Sequence, residues 1–153
     1  MNLKEDFLSK VLYVVILLGI IALTGVIIGL PWVAPILFEN SIFYSLVNHR
    51  TVLILLYISG IPTWIILWMT KKLANNIIKR EPFSESSVFS LKCISICASI
   101  VCVCYIYTCL FLSATLGTIV IALGSFMVSL ISTIIYKLVQ VAIEIQKENE
   151  LTI

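Results

Sequence analysis

Four uncharged apolar runs constrain this chain more than any other feature: residues 11–30, 51–70, 93–112 and 116–136. None contains Asp, Glu, Lys, Arg or His. Each is about twenty residues long, so as a helix rising ~1.5 Å per residue it spans ~30 Å, the thickness of a bilayer's hydrocarbon core. A chain of 153 residues that is 61% hydrophobic and 12% charged cannot bury all that apolar surface in a water-soluble core. The expected fold is all-α: a single polytopic membrane domain over 1–153, with four transmembrane helices in a bundle. A net charge of +2 gives no reason to expect direct nucleic-acid binding.

The first run is too long for the apolar core of a cleaved signal peptide. It ends at Leu30-Pro31-Trp32 rather than at a small-residue cleavage site, so a retained span is expected. Ala22, Gly25 and Gly29 share one face of it. The Gly25–Gly29 spacing lets two backbones approach closely. Packing against another span of the same chain is one reading, and a homo-oligomer through Gly25 and Gly29 is the other. Residues 31–50 are expected to connect the first two spans along the membrane surface, because Trp32, Phe38, Phe43 and Tyr44 suit the interface. His49, the lone histidine, has no second histidine or nearby cysteine with which to hold a metal.

Gly60 and Pro62 lie midway through the second run, where proline removes a backbone donor and favours a kink. Trp64 and Trp68 share a face near Lys71 and Lys72, as in an aromatic belt. The connection 71–92 is the longest polar stretch away from the termini. Its first part is expected to continue the second helix through Ile77 and Ile78 until Pro82 stops it. Ser84 suits the N-cap of the next helix, with Phe83 and Val88 placed for a hydrophobic staple and Glu85 at the positive end of the dipole.

All five cysteines fall in or at the edge of the third run. Cys93, Cys97 and Cys104 lie on one side of a helix, and Cys102 and Cys109 on roughly the other. A quinone-linked thiol oxidoreductase needs a CxxC pair, and this chain has none. Two cysteines on one helix are poorly directed for a bridge. They are expected to pack as small hydrophobes. Ser95, Ala98, Cys102 and Cys109 make a small-residue seam. Thr118, Ala122, Ser125, Ser129 and Ser132 make another on the fourth run, and both are expected to face helices. The tail 137–153 is amphipathic and is expected to extend the fourth helix, with Glu144 and Lys147 weakly paired.

Lysines and arginines number two in the head, one in the first connection, five in the central connection, none in the third and two in the tail. Both termini and the central connection are therefore expected in the cytoplasm. No ionisable residue interrupts a span, which argues against ion-coupled transport of the small multidrug transporter type. No phosphate loop, carboxylate pair or nucleophile–histidine arrangement is present, so neither an enzyme nor a cofactor is expected.

Glu81-Pro82-Phe83-Ser84, Ser87-Val88 and Leu91-Lys92 resemble the central motif of a bacterial family catalogued as a domain of unknown function, number 2975. Ala142-Ile143-Glu144-Ile145 and Glu148-Asn149-Glu150-Leu151-Thr152-Ile153 are similar to that family's C-terminal signature. The spans depart from it in being cysteine-rich. The resemblance implies a four-span protein of a bacterial cytoplasmic membrane. It also implies association with a small helix-turn-helix regulator, which such members often accompany. The expected partner surface joins Glu81, Ser84, Glu85 and Lys92 to Glu144, Lys147, Glu148 and Asn149. A sensor or immunity protein meeting a peptide or small molecule, or an accessory subunit of a transporter, is the alternative.

Overall fold

The computed structural model describes residues 3–39, 49–79, 81–112 and 114–150. They form four helices: α1 (Leu3–Glu39), α2 (His49–Ile78), α3 (Glu85–Phe111) and α4 (Leu116–Glu150). No strand occurs among the described residues. Each helix contains a stretch long and apolar enough to cross a membrane: Lys10–Val33, Arg50–Ile78, Glu85–Phe111 and Leu116–Asn149. Large apolar side chains such as Ile28, Leu110 and Leu116 stand exposed, as lipid-facing residues do. The protein is an all-helical, multi-pass integral membrane protein.

The extensive interfaces among the described residues run in chain order: α1 on α2, α2 on α3 and α3 on α4. Ile16 and Ile20 of α1 and Ala74 of α2 form a buried cluster, with Trp64 and Leu67 packed on it. Trp64 donates its indole N–H to Thr24 Oγ1 at 3.0 Å, which gives that polar group a partner inside the apolar layer. Thr24 in turn donates to the Ile20 carbonyl at 2.7 Å. Similar back-bonds hold Thr63, Thr70 and Thr108 on their own helices. Among the described residues no buried side-chain polar atom lacks a partner, which the absence of water in hydrocarbon demands.

Two expectations about the first hairpin are corrected. Residues 31–39, expected in the surface connection, continue α1 as helix through Pro31 and Pro35. Residues 40–48 lie outside the described residues, and Phe43 and Tyr44 with them. Among the described residues the Gly25 and Gly29 face meets no other helix. A Cβ on Gly25 would meet nothing within 4 Å, and one on Gly29 would meet only Val33 of the same helix at 4.0 Å. The reason is angular. The side of α1 turned to α2 carries Ile16, Gly19, Ile20, Thr24 and Ile27, and Gly25 points away from it. In α2, the helix continues through Gly60 and Pro62 without a break.

The α3–α4 interface is built as the two small-residue seams suggest. Ser95, Ala98 and Cys102 are buried on α3, as is Ser132 on α4, while Ser125 and Ser129 are half-buried. The helices approach closely enough for reciprocal bonds. Ser95 Oγ reaches the Ser129 carbonyl at 3.2 Å, and Ser129 Oγ reaches the Ser95 carbonyl at 3.2 Å. Ser95 and Thr133 hydroxyls pair at 2.6 Å, and Ser99 and Ser129 hydroxyls at 2.7 Å. The turn between these helices is capped by Thr115. Its Oγ1 accepts from Thr118 N at 3.3 Å, while Thr118 Oγ1 accepts from Thr115 N at 3.0 Å. This is a capping box with Thr in the place of Glu or Gln.

Candidate functional site

Most charged groups gather at one end of the helices, where α2 ends, α3 begins and α4 ends. Local chemistry fixes this end. The Glu81 N–H bonds the Asn76 carbonyl at 3.0 Å, closing the C-terminus of α2 in the manner of a Schellman turn. Ser84 then caps α3: it has extended backbone (φ −118°, ψ 154°), and its Oγ accepts from Ser87 N at 3.3 Å. The expected N-cap is thus in place. Phe83 stays 57% exposed, and Val88 is half-buried.

Behind the cap lies a polar node that links α2 to α3. Ser87 and Ser90 are both 0% exposed. Asn76 Nδ2 donates to Ser87 Oγ at 3.1 Å, and Ser84 and Ser87 hydroxyls pair at 3.1 Å. Ser90 Oγ returns to the Ser86 carbonyl at 2.8 Å. Sequence reasoning missed Asn76 and the burial of Ser87 and Ser90. The available signal was an asparagine on the last turn of a helix followed by a serine-rich start to the next.

Of the residues expected at a partner surface, Glu85 and Lys147 meet directly: Lys147 Nζ lies 3.1 Å from Glu85 Oε1, with side chains 63% and 82% exposed. The central connection and the end of α4 are therefore neighbours in space. Lys147 takes Glu85, not Glu144, as the partner of this ion pair. Glu81, Lys92, Glu144, Glu148 and Asn149 are exposed, and Ser84 is half-buried in its capping role. Lys92 lies two helical turns along α3 from Glu85, nearer the membrane-spanning part.

Aromatic rings and lysines meet just inside this end. Trp64 and Trp68 stack with centroids 5.4 Å apart. Lys71 Nζ lies 5.0 Å from the Trp68 ring and 5.7 Å from that of Tyr13, while Lys72 Nζ lies 5.8 Å from the Phe89 ring. These contacts pin the ammonium groups against ring faces.

Elsewhere the chemistry is sparse. The five cysteines are free thiols, with Cys97 and Cys102 buried and the others half-buried. Among the described residues no group of three or more His, Cys, Asp and Glu is placed to hold a metal ion. The His49 side chain is not among those described. A groove of about 360 Å³ between α2 and α3 is lined by Thr51, Ile54, Ile58, Val103, Cys104 and Tyr107, among others. A smaller one of about 230 Å³ between α1 and α2 is lined by Thr24, Ile27, Ile28, Ile61 and Trp64. Neither groove carries a charged lining residue.

Over its whole length the chain is similar to the uncharacterized membrane protein YoaS of Bacillus subtilis (strain 168), with 31% identity over 164 aligned positions and 100% of each chain covered. No solved structure matches it. Residues 30–153, which take in α2, α3, α4 and the capped connection between α2 and α3, match the model of one family, and the chain belongs to it: Protein of unknown function (DUF2975).

Proposed function

We propose that this protein is a non-enzymatic interaction or regulatory protein of a bacterial cytoplasmic membrane. Its charged end lies in the cytosol and binds a soluble protein there. The carrying observation is the contact of Glu85 with Lys147, which joins the central connection and the end of α4 into one exposed patch. Glu81, Glu144, Glu148 and Asn149 extend that patch, and Ser84 holds its α3 edge in place. The lysine-rich side supports the cytosolic placement. The Bacillus relative supports a bacterial membrane. A helix-turn-helix regulator is the partner that the family resemblance suggests.

The test is co-purification of such a regulator with the full chain and with a Glu144→Lys, Glu148→Lys variant. The variant should insert normally and lose the regulator. Equal recovery with both proteins would overturn the reading. So would an unchanged cellular phenotype after truncation beyond Val141, which would turn attention to the outer connection and to a sensor or immunity role.

A homo-oligomer through Gly25 and Gly29 is a second element of this reading. The open space over Gly25 favours it, since a second helix can approach there without displacing any side chain of this chain. Gly25→Leu should shift a dimer to monomer in cross-linking, and an unchanged pattern would exclude this surface.

A further inference from the structure

Five lysines, at least one from each helix, lie at one level. The contacts between helices set that level. Lys71 reaches Tyr13, one turn from Lys10 on α1. Lys72 reaches Phe89, one turn from Lys92 on α3. Ser95 meets Thr133, and Lys92 and Lys137 each lie one turn beyond that contact, toward the charged end. Lys10, Lys71, Lys72, Lys92 and Lys137 therefore form a collar about one turn, or ~5 Å, deep. From this collar each helix runs about twenty residues, or ~30 Å, to Trp32, Thr51, Leu112 and Gly117. The collar thus sits at one boundary of the hydrocarbon layer.

The carboxylates at this end lie outside it. Asp6 is one turn beyond Lys10 along α1, and Glu81, Glu85, Glu144 and Glu148 lie farther out along the chain from the spans. The ion pair of Glu85 is made with Lys147, also outside the collar. Among the residues whose side chains are described, none of the five collar lysines forms an ion pair. Charge is therefore layered, with a purely basic ring at the boundary and a mixed layer beyond it.

One part of the ring is more built than the rest. Phe89, Lys92 and Ile96 follow each other on an exposed face of α3, and Lys72 Nζ of α2 lies over the Phe89 ring, 5.8 Å from its centroid. One ammonium group thus lies over an exposed aromatic ring, with a second lysine one turn along the same helix face and apolar helix surface below. That combination fits a phosphate with acyl chains attached.

We propose that Lys72, Phe89 and Lys92 bind the headgroup phosphate of an anionic phospholipid, and that the whole collar selects such lipids as its boundary layer. Charge complementarity at the depth of the headgroups commits the site to a lipid rather than to a soluble ion. The proposal does not depend on a protein partner at the outer patch.

The test uses the full chain purified in mild detergent, with bound lipid counted by native mass spectrometry. Phosphatidylglycerol and phosphatidylcholine are titrated in parallel. Phosphatidylglycerol should be retained at least about tenfold better, and Lys72→Gln with Lys92→Gln should lower that preference by roughly tenfold to thirtyfold. Lys72→Arg with Lys92→Arg should keep it, which separates loss of charge from loss of fold. Lys147→Gln, outside the collar, should also keep it. Equal retention of the two lipids, or an undiminished preference in the glutamine variant, would overturn the proposal. Displacement of phosphatidylglycerol by low-millimolar inorganic phosphate would overturn it in favour of a soluble-anion site.

Discussion

Lys147 Nζ and Glu85 Oε1 meet at 3.1 Å across 62 positions of sequence, so the last turns of α4 close over the first turn of α3. Both side chains are well exposed, at 63% and 82%. Solvent screens such a pair, and its contribution to stability is at most a fraction of a kcal/mol. Glu85→Lys should therefore leave thermal stability in detergent within ~0.5 kcal/mol of the parent. The charge-swapped Glu85→Lys, Lys147→Glu protein should be as stable as the parent. A large destabilisation in either variant would mean that this contact organises the end of the bundle and does not merely decorate it.

The Asn76–Ser87 bond is a different case, because Ser87 is fully buried. Removing one partner leaves the other in a site with little water, at a cost of ~1 kcal/mol or more. Asn76→Ala and Ser87→Ala should each destabilise the protein. The double variant should cost less than the sum, with a coupling of at least ~0.5 kcal/mol. Reversible unfolding in mixed micelles measures all three, and simple additivity would show that the bond does not link α2 to α3.

Ser95 and Ser129 bond each other's carbonyls, which holds α3 and α4 at close range. Hydrogen bonds between membrane helices average only about 0.6 kcal/mol, so Ser95→Ala should be mild. Ser95→Leu should be the worse change, costing ~1–3 kcal/mol, because a larger side chain must push the helices apart. If alanine proves as damaging as leucine, hydrogen bonding rather than close approach sustains the interface.

The four spans were legible in the sequence because their cause is local. Uninterrupted apolar length requires lipid, and lipid requires helix. Ser84 was legible as a cap for the same reason, since the signal lies within three residues. The seams on α3 and α4 were legible because small residues repeat at helical spacing. Partner choice was not. Gly25 and Gly29 carry the same kind of small-residue signal as Ser95 and Ser129. Only the packed structure shows that one seam meets α4 while Gly25 meets open space. The pairing of Lys147 with Glu85 instead of Glu144 likewise depends on how far α4 runs beside α3. The helical course of 31–39 was obscured by the aromatic residues Trp32 and Phe38, whose preference for the interface pointed to a surface connection but is equally compatible with a helix, and Pro31 is tolerated there as in other membrane helices.

The orientation of the protein and the role of its thiols are open to one combined experiment. The five cysteines are free, and Cys97 and Cys102 lie buried among apolar neighbours on α3. As packing residues they should tolerate replacement by Ala or Ser with modest loss of stability, leaving a folded, expressed protein. In that background Glu81→Cys places a single thiol at an exposed position beyond the end of α2. The positive charges at Lys71, Lys72, Lys79 and Lys92 should hold this position in the cytosol. An impermeant maleimide added to intact cells should therefore leave it unlabelled, whereas the same reagent should label it in opened membranes. Labelling from outside would reverse the topology and move the Glu85–Lys147 patch away from any cytosolic regulator. Failure of the cysteine-free protein to express, with rescue by restoring one particular pair, would show that those two thiols act together and do more than fill space.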